Sequence, residues 1–172
     1  MALIIGTLLQ VGTGLWLMGF DLNVSLAELN ANSCLQGIAI GVSWVPLTVI
    51  TFATLAPGNR AEAMAMFHLL RNFGSSLFIS IAIAEIVRAT AANYARMTEF
   101  ISVHNRALEM PWVMGAWSID TLPGLARLAN EISRQAAMIG YVNAFVLYTA
   151  VSAAVIPLCL LARMPRAEPR PA

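Results

Sequence analysis

The 172-residue chain is 59% hydrophobic and 11% charged, with a formal net charge of +1. A soluble domain averages about 45–50% apolar and about 25% charged residues, so a water-facing globule, a disordered chain and a secreted disulfide scaffold are all excluded. The ten basic residues, all arginine, form no run of like charge, and no nucleic-acid partner is expected. The solvent this composition calls for is the lipid bilayer.

The chain opens Met1-Ala2-Leu3-Ile4-Ile5, without a basic leader or a small-residue cleavage site, so no signal peptide is expected. A start inside an apolar segment reads as an internal position of a longer chain. Residues 2–20, 34–57 and 136–162 carry no charge and, as helices, reach about 28, 36 and 40 Å against a hydrocarbon core of about 30 Å. Residues 63–87 form a fourth predicted span despite Arg71 and Glu85. Arg71 lies about eight residues in and can snorkel, whereas Glu85 is placed to pair with Arg88 on one helix face.

A short acidic loop at 21–33 joins the first two spans. Pro57-Gly58-Asn59 stops the second, so the second and third spans are predicted to be an antiparallel hairpin. Residues 88–135 are predicted to be a helical loop. Its first helix carries Tyr94, Met97, Ile101 and Leu108 on one face and ends at Pro111. Its second helix, capped by Asp120 or Thr121, carries Leu125, Leu128 and Ile132 and runs on into the last span. Trp112 and Trp117 between them suit a headgroup boundary. Residues 163–172 form a tail with Arg163, Arg166 and Arg170. Those arginines and Arg60 favour a cytoplasmic tail and turn, but five arginines in the long loop leave orientation open.

Within the spans, Gly37 and Gly41 form a small-xxx-small pattern, and Gly6, Gly12, Gly14 and Gly19 suit close helix packing. Pro46 and Pro157 are expected to kink their helices. Thr48 and Thr51 are expected to bond back to their own helix. Arg71, Asn72 and His68 are the most polar cluster in any span. With no nucleophile elbow, phosphate loop or ligand-spaced His, Cys or carboxylate cluster, neither catalysis, a cofactor nor a metal is expected. Cys34 and Cys159 fall near opposite faces, too far apart for a disulfide.

Several stretches, taken in order, resemble the C-terminal end of EmrB/QacA-type multidrug exporters of the Major Facilitator Superfamily. They are Gly37 to Gly41 with Pro46-Leu47, Leu55 to Arg60, Arg71-Asn72-Phe73-Gly74-Ser75-Ser76, Gln135 to Tyr141, Phe145, and Pro157-Leu158. The fold class implied is all-α, a polytopic membrane protein with four transmembrane helices, the last four of fourteen, and a long extracytoplasmic loop before the final span. The resemblance places the C-terminus in the cytoplasm and the chain in the inner (cytoplasmic) membrane. It makes the second and third spans cavity-lining and the first and last peripheral. Trp44, Thr48, Arg71, Asn72, Ser75 and Ser76 then become transport-path candidates.

The implied function is proton-coupled efflux of an amphipathic small molecule. The implied partners are the N-terminal spans of the same transporter and a periplasmic adaptor at the long loop. The chain departs from the family at Asn143, where an acidic residue is frequent, and in lacking the N-terminal half, so no transport is expected of it alone. Two alternatives are a four-span oligomeric small multidrug transporter, which would need a carboxylate in the first span that this chain lacks, and a membrane scaffold.

Overall fold

The computed structural model describes residues 2–53, 55–102, 104–110 and 117–161. Four α-helices make up nearly all of it: α1 (Ala2–Met18), α2 (Leu26–Phe52), α3 (Arg60–Thr98) and α4 (Leu122–Leu161). Short 3-10 turns at Pro57–Asn59 and Arg106–Glu109 interrupt the connections. α2, α3 and α4 are long and apolar enough to cross a membrane, whereas α1 is an apolar helix of 17 residues.

Two boundaries and one expected ion pair differ from the sequence-based reading. First, α2 begins at Leu26 rather than at 34, because Ser25 and Glu28 form a reciprocal cap. The Glu28 N–H donates to Ser25 Oγ at 3.2 Å and the Ser25 N–H donates to Glu28 Oε2 at 3.0 Å. Both ends of the exposed first turn are thereby satisfied, and the acidic loop shrinks to a few residues.

Second, residues 88–98 are no separate loop helix. They continue α3, which runs 39 residues without a break, because Ala89, Ala91, Ala92 and Ala95 favour helix and no glycine or proline follows Gly74. The helix stops at Thr98, well before Pro111. Third, Glu85 and Arg88 do not pair; among the described residues the ion pair present is Glu131–Arg134, at 3.3 Å. A pair three residues apart on an exposed face is worth only a few tenths of a kcal/mol, about 0.2–0.5, too little to impose one rotamer.

The start of α4 follows expectation. Thr121 Oγ1 accepts from the Gly124 N–H at 3.3 Å, and the helix then runs unbroken into the last span. Leu128 and Ile132 are buried, whereas Leu125 is 42% exposed. They line a small groove with Tyr94 and Ile101, so the end of α3 and the start of α4 lie together. Pro46 and Pro157 lie inside uninterrupted helices. Cys34 and Cys159 are both free. Pro111, Trp112, Thr54 and the 163–172 tail lie outside the described residues.

The helices pack in the order α2–α1–α4–α3. Glycines set two of these contacts. A Cβ on Gly6 would sit 3.0 Å from the Ala39 carbonyl of α2, and one on Gly140 would sit 2.8 Å from the Ile86 carbonyl of α3. Only glycine lets the backbones come this close. Polar bonds reinforce the α1–α2 pair. Gln10 Nε2 donates to Ser43 Oγ at 3.2 Å, and buried Asn32 Nδ2 donates to the Thr13 carbonyl at 3.1 Å. Such bonds between spans average about 0.6 kcal/mol.

The expected α2–α3 hairpin is therefore a hairpin only near its turn. There Phe67 of α3 meets Phe52 and Trp44 of α2, with ring centroids 5.6 and 6.2 Å apart. Beyond that cluster α2 lies on α1 and α3 lies on α4.

Candidate functional site

The splay of α2 from α3 leaves both helices bare over much of their length. α2 buries only Asn32 and Ala39, and α3 buries nothing before Ala89. Val45, Leu70 and Phe73 are 62–68% exposed. Apolar surface on this scale has to be covered by acyl chains or by further helices.

The α3 surface between residues 70 and 77 is nevertheless not uniform. At 100° per residue, Leu70, Phe73 and Leu77 fall on one side. Asn72, Ser75 and Ser76 fall on another, with Arg71 at its margin. Apolar and polar stripes on one bare span are what distinguishes a lipid-facing side from a side facing water or polar groups.

Of the six sequence-predicted site residues, the structure brings two into contact. The Arg71 guanidinium carbon lies 4.3 Å from the centroid of the Trp44 ring, a cation–π stack joining α3 to α2 about three helical turns from the 57–59 turn. Phe67, one turn before Arg71, borders the same ring at 6.2 Å. Thr48 is one turn beyond Trp44, but its hydroxyl donates to the Val45 carbonyl at 2.8 Å and is occupied by its own helix. Asn72, Ser75 and Ser76 are exposed, and among the described residues their side chains make no hydrogen bond. The Ser76 carbonyl accepts from Ser80 Oγ at 2.9 Å, the same back-bonding pattern.

Sequence reasoning passed over a second polar place. Glu85 of α3 and Asn143 of α4 line one groove of about 390 Å³ with Ile81, Val146, Leu147 and Ala150. In sequence, Glu85 reads as half of an ion pair and Asn143 as a departure from a family pattern. Their meeting depends on the α3–α4 register, which Gly140 fixes three residues from Asn143. The Gln10–Ser43 and Asn32–Thr13 bonds were also passed over. A glutamine in an otherwise apolar helix was the available signal for the first of them.

No family model matches the chain, and no solved structure matches it significantly. Two curated proteins do. The multidrug export protein EmrB of Haemophilus influenzae is 25% identical over 122 residues, covering 70% of this chain and 24% of that protein. The fatty acid resistance protein FarB of Neisseria gonorrhoeae is 23% identical over 151 residues, covering 87% of this chain and 30% of that protein. The chain thus spans about a quarter to a third of the length of the relatives it matches. Its apolar helices and these relatives together make it a multi-pass membrane protein, distantly similar to efflux proteins.

Proposed function

We propose that the chain forms the last four spans of a fourteen-span, proton-coupled exporter of the Major Facilitator type, embedded in the inner (cytoplasmic) membrane. Its substrates are amphipathic small molecules, a class that includes the drugs and fatty acids for which the two relatives are named. It carries out no covalent chemistry. α2 and α3 form part of the wall of the transport path, with Trp44, Arg71, Asn72, Ser75 and Ser76 facing it. Thr48 lies on the same wall through its backbone position alone. The long loop between α3 and α4 lies outside the cytoplasm and is where a periplasmic adaptor docks.

One observation carries the reading. α2 and α3 flank the row of four helices and present polar residues without partners beside large bare apolar surfaces. A complete bundle would bury such faces. Alternating access needs two bundles rocking about a site between them, and four helices supply less than one. The remaining spans supply the other wall.

Two linked measurements test this. Genomic sequence upstream of the Met1 codon is expected to continue in frame through ten further apolar spans. The full-length product, expressed in cells lacking their own exporters, is expected to lower accumulation of a lipophilic dye until the proton gradient is dissipated. The 172-residue chain alone is expected to leave accumulation unchanged. Unrelated sequence upstream, or dye export by the short chain alone, would contradict the proposal.

A further inference from the structure

Glu85 and Asn143 meet at one depth in the membrane. Counted from Ala63, where the third apolar run begins, Glu85 stands about 33 Å along α3. Counted back from Leu161, Asn143 stands about 27 Å along α4. The hydrocarbon core is about 30 Å thick, so both lie at its boundary, in the leaflet away from the α2–α3 turn. The rest of their groove runs inward from there. Ile81 is one turn deeper on α3, and Val146, Leu147 and Ala150 lie about 4.5 to 10 Å deeper on α4. A polar rim above an apolar trough of about 390 Å³ has the polarity profile of a lipid, headgroup over acyl chain.

The groove opens on the lipid side of α3. At 100° per residue, Ile81 falls within about 40° of Leu70 and Leu77, and Arg88 falls in line with Leu70. Glu85 stands about 60° round from Leu70, on the flank that meets α4. It is half-buried, and among the described residues neither Glu85, Asn143 nor Arg88 makes a hydrogen bond or ion pair through its side chain. A carboxylate at the edge of the hydrocarbon without a cation is half of a pair. Asn143 adds an amide oxygen beside it, and exposed Arg88, one turn nearer the surface, adds a donor fork. Together they offer acceptors for a cationic donor and, next to those, donors for a phosphate.

We propose that the α3–α4 groove binds a phospholipid with a primary-ammonium headgroup, phosphatidylethanolamine. The ammonium donates to Glu85 and to the Asn143 amide oxygen, and the phosphate accepts from Arg88. One acyl chain lies along Ile81, Val146 and Leu147. Charge and donor count choose this lipid. Phosphatidylcholine carries the same charge, but its quaternary ammonium has no N–H to donate. Phosphatidylglycerol brings a net negative charge and no cation for Glu85. The site requires only that the chain span the membrane, and it stands apart from any transport path along α2 and α3.

The test uses the 172-residue chain in a nonionic detergent, with dioleoyl lipids added at equal concentration and bound lipid counted by native mass spectrometry. The series runs from phosphatidylethanolamine through its N-methyl and N,N-dimethyl forms to phosphatidylcholine, which removes donors one at a time at constant charge. Phosphatidylethanolamine is expected to bind about tenfold more tightly than phosphatidylcholine, with the methylated forms between them in order. Glu85→Gln is expected to cut that preference to about twofold or less and leave phosphatidylcholine binding unchanged. Ala150→Phe, which fills the trough, is expected to weaken both lipids alike. Helical circular dichroism checks that each variant folds. If Glu85→Gln does not fold, the methylation series on the unaltered chain still decides.

Equal affinity across the series, or an undiminished preference in Glu85→Gln, would overturn the proposal. Tighter binding of phosphatidylglycerol than of phosphatidylethanolamine would make this an anion site built on Arg88, and would overturn it too. So would a Glu85-dependent dimer without bound lipid in the same spectra, which would give the groove to a second copy of the chain.

Discussion

Replacing Gly140 with leucine should separate α3 from α4 and lower the stability of the pair by about 1–3 kcal/mol or more. The cause is geometric. A Cβ at 140 would stand 2.8 Å from the Ile86 carbonyl and 2.5 Å from Thr90 Oγ1. Thr90 can rotate away, but the carbonyl belongs to the α3 backbone and can retreat only if the whole helix moves. Longer separation also forfeits dispersion contacts along the interface, which have no hydrophobic term to replace them in lipid. A Cβ at Gly41 or Gly74 meets nothing within 4 Å in this chain, so leucine at these positions serves as the matched control. Thermal unfolding in detergent, followed by helical circular dichroism, is expected to show a lower midpoint for Gly140→Leu and little change for the controls. Equal loss at all three positions would mean that the effect comes from helix propensity or lipid contact rather than from the α3–α4 approach.

Thiol labelling in intact cells should distinguish the two native cysteines by roughly tenfold or more, because an ionic reagent does not cross the hydrocarbon core. The chain direction puts the α1–α2 loop and the α3–α4 connection at one end of the helices, and the α2–α3 turn and the end of α4 at the other. Cys34 lies eight residues beyond the start of α2 and is exposed, whereas Cys159 lies in the last turn of α4. With the long loop outside the cytoplasm, a membrane-impermeant maleimide is expected to label Cys34 and spare Cys159. Permeabilised cells are expected to label both. Preferential labelling of Cys159 in intact cells would invert the proposed topology.

The sequence made the helices legible for the simplest of reasons: runs without charge are long, and lipid tolerates little else. The boundaries were less legible because two local signals carry helices beyond their charge-free runs. Ser25 and Glu28 stand in a capping-box spacing that starts α2 eight residues ahead of its first uncharged stretch. The alanines between 89 and 95 carry α3 past Arg88, since a charge near a membrane surface does not end a helix. The thirteen residues from 122 to 134 were read correctly as helix because Thr121 caps them and nothing breaks the run into the last span.

The candidate site was legible in composition and not in arrangement. Arg71 stood out as a charge in a span, and Trp44 as an aromatic two residues before Pro46. That they stack depends on the turn at Pro57–Asn59 setting the register of α2 against α3, which no short motif encodes. Thr48 illustrates the reverse case: a polar residue in the right helix whose hydroxyl is taken up by its own backbone. The Glu85–Asn143 groove shows the general difficulty, since residues 58 positions apart meet only once the packing of α3 on α4 is known.

The central claim is that one side of α3 faces an aqueous path and the other faces lipid. Cysteine scanning of α3 in the full-length protein, with Cys34 and Cys159 replaced by alanine, measures this directly. A small hydrophilic thiol reagent is expected to modify cysteines at 72, 75 and 76, and dye substrate is expected to slow the modification. Cysteines at 70, 73 and 77 are expected to stay unmodified. Equal reactivity around the helix, or modification confined to 70, 73 and 77, would contradict the account.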